Sequence, residues 1–186
     1  QILVYKYNDA TDTWETLGQP LYGAASGERF GIRVILSENG QTLAVSAMQA
    51  GLVRVFRHDG MSDVWFQVGQ DLRGASVHNR FGPSFALSGD GTIVAGQARG
   101  RDITKDFVLA YKYNHNTHKW DTLGNVISAP QDGIGFGQSI DLSADATVLA
   151  VGAHLTDTGE EANVGSLNIY EYNAPYDRWD QRGSPV

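Results

Sequence analysis

Apolar residues occur along this chain in short runs in which hydrophobic and polar positions tend to alternate, and clusters of Gly, Asn, Asp and Ser separate the runs. β-Branched and aromatic residues dominate the runs, and no stretch keeps its apolar positions at helical spacing. The pattern predicts strands, and it predicts them in a recurring order. A first strand is expected over 32–36, 84–87 and 138–142, and a second over 42–47, 92–96 and 147–153. A third is expected over 52–58, 107–113 and 166–172, and a fourth over 64–69, 119–124 and 178–183. Asn39-Gly40 and Asp90-Gly91 are strong hairpin signals between the first and second strands. The third copy reads Asp145-Ala146, which predicts a different turn there.

The order is a sequence repeat. Tyr5-Lys6-Tyr7-Asn8, Phe56-Arg57-His58-Asp59, Tyr111-Lys112-Tyr113-Asn114 and Tyr170-Glu171-Tyr172-Asn173 mark it, at intervals of 51 to 59 residues. Each leading aromatic is followed nine residues later by a tryptophan: Trp14, Trp65, Trp120 and Trp179. Phe30-Gly31, Phe81-Gly82 and Phe136-Gly137 follow the first three tryptophans by sixteen residues. Four antiparallel strands repeated with a tryptophan in the last predict an all-β chain, a β-propeller of four-stranded blades. The expected units are a half-blade over 1–18 and full blades over 29–69, 81–124 and 136–183, one array across 1–186. Three and a half blades leave an open edge. The ring is therefore expected to be completed by a longer chain of about six to eight blades, or by self-assembly in which two copies make seven.

All length variation falls in one place. From the second-strand alanine to the next aromatic the spacing grows from 12 residues (Ala44 to Phe56) to 16 (Ala95 to Tyr111) to 20 (Ala150 to Tyr170). The loop between strands two and three is thus the variable one, and it lies on the face that also carries the connections between blades. Such loops, presented by a rigid scaffold, are where recognition is expected.

Phe-Gly, an apolar strand, Leu-Ser, a short turn and an apolar strand ending near alanine recur over 30–47, 81–98 and 136–153. This pattern resembles the FG-GAP repeat, the blade unit of the integrin α-subunit propeller, and the resemblance covers essentially the whole chain. It implies an extracellular or cell-surface adhesive module. The calcium-binding turns of that family are not matched: Ser37-Glu38-Asn39-Gly40, Ser88-Gly89-Asp90-Gly91 and Ser143-Ala144-Asp145-Ala146 are too short and too poor in oxygen ligands. No calcium, other metal or cofactor is expected.

Composition narrows the partners. A net charge of −7 and the lack of a basic stretch argue against nucleic acid. No apolar run reaches the length of a membrane span, so direct insertion is not expected. Without cysteine there are no disulfides, thiolate ligands or cysteine nucleophiles.

The candidate partner-binding residues lie in the variable loops and the connections between blades. They are His78, Asn79 and Arg80; Arg99, Arg101, Asp102 and Lys105; and His154, Asp157, Glu160, Glu161 and Asn163. No repeated Ser–His–Asp set or pair of carboxylates is evident, so no catalytic residue is assigned. The expected function is a non-enzymatic structural or adhesive module that binds a protein partner through one propeller face. A lectin-like or small-ligand propeller, with glycan as the ligand, is the alternative, and a propeller hydrolase stands behind it. The fixed place of the tryptophans in strand four predicts packing between blades rather than sugar stacking. Trp65→Ala is then expected to destabilise the protein by about 3–5 kcal/mol in denaturant unfolding, whereas an exposed stacking residue would cost far less.

Overall fold

The computed structural model describes residues 1–75, 80–99, 106–131, 134–157 and 161–186. Its strands are β1 (Tyr5–Asn8), β2 (Thr13–Thr16), β3 (Phe30–Leu36), β4 (Thr42–Ala47), β5 (Leu52–Asp59), β6 (Val64–Gln67), β7 (Leu72–Arg73) and β8 (Arg80–Leu87). They continue as β9 (Ile93–Arg99), β10 (Asp106–Asn114), β11 (Lys119–Thr122), β12 (Ile127–Ser128), β13 (Phe136–Leu142), β14 (Val148–Ala153), β15 (Ser166–Asn173) and β16 (Arg178–Arg182). They form four antiparallel sheets: β1-β2, β3-β4-β5-β6, β8-β9-β10-β11 and β13-β14-β15-β16. This is the all-β propeller architecture that the alternation predicts.

The first strands converge. β8 lies against both β3 and β13. At their ends, Glu38 N–H donates to Gly89 C=O (3.0 Å) and Gly89 N–H to Ala144 C=O (2.9 Å), so the turns after the first strands are linked in series. These strands also start earlier than alternation suggests. Each runs through or from the Phe-Gly, and a register shift follows it, between Phe30 and Val34, Phe81 and Phe85, and Phe136 and Ser139. The bulge hides the period of two just where the strand begins. Two short pairings lie outside the expected strands: β7 on β5 and β12 on β10, each a connection between blades returning to the start of a third strand. The bridge of Ile2 to Leu21 repeats that geometry.

The third first-to-second turn does not differ from the others. Ala146 takes the left-handed conformation (φ +57°), and its N–H bonds Ser143 C=O at 2.8 Å, as Gly40 bonds Ser37 and Gly91 bonds Ser88 at 2.9 Å. Asp145 Oδ1 accepts from Ser143 Oγ (2.6 Å) and Thr147 N–H (3.0 Å), a side-chain bracket that fixes the turn without glycine.

Across each hairpin of third and fourth strands the tryptophan faces an aromatic or histidine: Tyr7 and Trp14, His58 and Trp65, Tyr113 and Trp120, Tyr172 and Trp179. Ring centroids are 5.1–5.3 Å apart, within the range of favourable aromatic pairs. The same tryptophans join neighbouring sheets. Trp65 Nε1–H donates to Leu17 C=O (2.8 Å), Trp120 Nε1–H to Val68 C=O (2.8 Å) and Trp179 Nε1–H to Leu123 C=O (3.2 Å). The residue two positions after each acceptor covers the open strand edge. Gln19 brackets the backbone of Trp65 (2.6 and 2.8 Å), Gln70 that of Trp120 (2.7 and 3.0 Å), and Asn125 accepts from Trp179 N–H (2.7 Å). Between acceptor and bracket sits a glycine with positive φ whose missing side chain makes room for the indole. A β-carbon on Gly69 would stand 2.6 Å from Trp120 Cδ1. Trp65, Trp120 and Trp179 are buried, whereas Trp14, on β2, is 68% exposed.

Gly183 occupies the corresponding place after β16, at φ +67°, with open space around it. Gly69→Ala is therefore expected to destabilise by roughly 2–4 kcal/mol, through a left-handed alanine and a clash with the indole. Gly183→Ala should cost only the backbone term, about 1–2 kcal/mol. Parallel urea melts of the two variants check this.

Candidate functional site

The variable loops stand at the end of the sheets where the first strands begin. Arg80 opens β8, is exposed, and crowds Gly51, where a β-carbon would lie 3.1 Å from Arg80 Cα. Arg99 closes β9 and pairs with Asp106 at the start of β10 (3.1 Å), so two sides of one loop are tied together at its base. His154 follows β14, is exposed, and packs over Gly135. Asp157 Oδ1 accepts from Asn163 N–H (2.8 Å), closing the longest loop on itself, and Glu161 is exposed. His78, Asn79, Arg101, Asp102, Lys105 and Glu160 lie outside the described residues. Of the expected set, Arg80, Arg99, His154, Asp157, Glu161 and Asn163 are described, and the contacts among them are local: Arg99 with Asp106, and Asp157 with Asn163. His58, near the end of β5, and His115 and His118, in the turn between β10 and β11, lie at the opposite end of the sheets, which leaves His154 as the histidine of this end among the described residues.

Two features of the face escape a reading of loops alone. Arg33, on β3, extends its guanidinium to 5.7 Å from the Phe85 ring centroid on β8, between two converging first strands. Among the described residues it meets no carboxylate. Arg54, on β5, is buried and clamps two connections at once. Its Nη1–H and Nη2–H donate to the two carboxylate oxygens of Glu28 (2.9 and 3.0 Å), and its Nε–H donates to Asp71 Oδ1 (2.9 Å). Glu28 precedes β3 and Asp71 follows β6, so one guanidinium fixes both flanking connections by charge-assisted bonds. A signal existed for each: Arg54 stands where Leu109 and Asn168 stand in the other copies, and Arg33 where Ser84 and Ser139 stand.

Beside His154 opens a cleft of about 520 Å³, bordered by Gln138, Ser139, Gly152, Ser166 and Leu167. Ser166 Oγ, from this border, is 2.9 Å from Thr156 Oγ1. Polar residues (Gln138, Ser139, His154 and Ser166) and apolar ones (Ala153, Val164, Leu167 and Val186) thus share the border of this recess.

No family model matches the sequence, and no curated protein matches it. Solved structures do. A candidate 6-phosphogluconolactonase from Bacteroides uniformis superposes with a TM-score of 0.66 at 14% identity, covering 99% of this chain and 48% of that one. A candidate 6-phosphogluconolactonase from Bacteroides fragilis gives 0.65 at 16%, covering 98% and 47%. The periplasmic gluconolactonase of Pseudomonas aeruginosa gives 0.61 at 16%, covering 99% and 49%. At these identities the likeness establishes the fold, and the chain spans about half the length of each.

These findings correct the resemblance to FG-GAP repeats, and with it the expectation of a non-enzymatic adhesive or structural module: the similar structures are lactonase-type propellers, not integrin-type ones. The physical reason lies in the motif. Phe-Gly recurs here because a blade's first strand must pass close over its predecessor, where a β-carbon on Gly82 would come within 2.5 Å of Val53. That requirement belongs to blade packing and carries no information about adhesion.

The Glu28 carboxyl is held down to about 2, chiefly by hydrogen bonds from Arg54 and against the opposing effect of burial. Because its pKa is lowered on folding, its contribution is present above about pH 4.5 and is lost as the pH falls toward 2. Calorimetry between pH 6 and 2 is expected to show the melting temperature of Glu28→Gln falling less steeply than that of the wild type. Parallel curves would contradict the clamp.

Proposed function

We propose that this chain is part of a propeller hydrolase that opens small cyclic esters, sugar lactones being the substrate class. The observation that supports the reading most strongly is the superposition of nearly all of the chain on three propellers named as gluconolactonases or candidate 6-phosphogluconolactonases. The reading takes an activity from structures that share the fold, so its residues are argued from this chain's own face. Lactone hydrolysis needs a base to take a proton from water as the water oxygen bonds to the carbonyl carbon. It also needs a positive group for the negative charge that develops on the carbonyl oxygen. The ring C–O bond then breaks, and the base returns the proton it took to the ring oxygen, which leaves as a hydroxyl on the open acid. His154 is the base in this proposal. Arg33, without a carboxylate partner among the described residues, is the cation for the developing charge or for an anionic substituent of the sugar. Burial of Trp65, Trp120 and Trp179 disfavours a lectin in which these rings stack on glycan. A periplasmic or secreted location belongs to the same proposal and draws its support from the Pseudomonas aeruginosa protein.

Ring opening of glucono-δ-lactone and its 6-phosphate is followed by pH-stat. The expected result is a rate above that of buffer that drops at least about tenfold in His154→Ala and in Arg33→Met. A rate equal to buffer, or one untouched by both substitutions, would overturn the proposal.

A further inference from the structure

The joint between β3-β4-β5-β6 and β8-β9-β10-β11 differs in charge from the joints on either side of it. On β1, Lys6 lies opposite Glu15 of β2, and on β10, Lys112 lies opposite Asp121 of β11. The matching residue on β5 is Arg57, and Phe66 of β6 lies opposite it. The hairpin turn of the next sheet departs in the same sense. Its left-handed residue is Asp63 in the sheet after Lys6 and Asp177 in the sheet after Lys112, but His118 in the sheet after Arg57. The middle joint thus has a phenyl ring and an imidazole at the two positions where its neighbours have carboxylates.

These substitutions converge on Tyr113. The Arg57 guanidinium stands 5.7 Å from the ring centroid of this buried tyrosine, within cation–π range. His115 packs edge-on against the same ring at 4.9 Å, and the Tyr113 hydroxyl is 3.3 Å from His118 Nδ1. Arg57 forms no ion pair among the described residues, so its planar fork of donors is not matched to a carboxylate. Residues directly opposite each other share a face of the sheet, which sets the exposed Phe66 beside Arg57. His115 and His118 are exposed as well. The acids nearby are engaged in their own turns. Asp59, two residues after Arg57, accepts from Met61 N–H (3.0 Å) and from the Ser62 hydroxyl (2.5 Å). Asp90, in the turn between β8 and β9, accepts from the Ser88 hydroxyl (2.6 Å) and Thr92 N–H (2.9 Å).

We propose that the turn end of this joint is a binding site for a small organic anion, an oxyanion carried on an aromatic ring. Arg57 and the imidazole N–H groups bond the anionic oxygens, and Phe66 with the edge of His115 packs against the ring. The site lies at the opposite end of the sheets from His154 and stands apart from the lactonase reading.

Phenyl phosphate is the probe. It is titrated into the isotope-labelled chain and followed by amide NMR, with inorganic phosphate and phenol in separate titrations. Phenyl phosphate is expected to give saturable shifts at Phe66, Tyr113 and His115, and to bind at least about tenfold more tightly than either half alone. Its affinity should fall at least about tenfold in Arg57→Met and in Phe66→Glu. The second variant places here the acidic side chain that Glu15 and Asp121 supply in neighbouring copies, and dispersed spectra report that both variants fold. Absence of saturable shifts, or an affinity unchanged in either variant, would overturn the proposal. So would inorganic phosphate binding as tightly as phenyl phosphate, which marks an adventitious ion only, or phenol doing so, which marks an apolar contact only.

Discussion

One contact holds the sheets in register: an indole N–H from the fourth strand of one sheet reaching a backbone carbonyl at the end of the fourth strand before it. Three tryptophans make it, at 2.8, 2.8 and 3.2 Å. It joins a large apolar surface, which has to leave water, to a donor that would be costly to bury unpaired. The ring then serves as packing and as a gauge of distance at once. The glycine beneath it and the Gln or Asn beside it complete the joint by removing a clash and by satisfying backbone groups at an otherwise open edge.

Uniform joints have a consequence for function. Residues committed to them are identical or nearly so from copy to copy, so chemistry must come from positions where the copies diverge. Arg54, His154 and Arg33 are such positions. Arg54 spends its charge on Glu28 and Asp71 and makes the surroundings of the first complete sheet rigid. His154 lies exposed after β14, and Arg33 stands over the Phe85 ring between two first strands. A scaffold that differs so little between copies can host unrelated activities, which is why likeness of blades alone misdirects when the motif is structural.

The sequence made the propeller legible because its landmarks are those of packing: tryptophan nine after an aromatic, Phe-Gly sixteen after tryptophan. The Gly-Gln and Gly-Asn pairs at 18–19, 69–70 and 124–125 were equally regular, yet their bracketing role depends on a neighbour some fifty residues away and has no local signature. Ala146 shows the limit in another form. A turn was expected to change with the loss of its glycine, but Asp145 holds it by side-chain bonds, and backbone preference alone does not register that. Sequence spacing marks which loops vary but does not say which of their residues meet. Which of them meet depends on chain closure across β9 and β10 or across 157–163, and charge pattern by itself does not order such pairs.

Hydrogen exchange at the four indole N–H groups, resolved by NMR in the intact chain, tests the joint most directly. The protons of Trp65, Trp120 and Trp179 should be strongly protected and should exchange together as the protein unfolds, whereas that of Trp14 should exchange at nearly the rate of free indole. Four indole protons exchanging alike, whether all fast or all slow, would contradict the account.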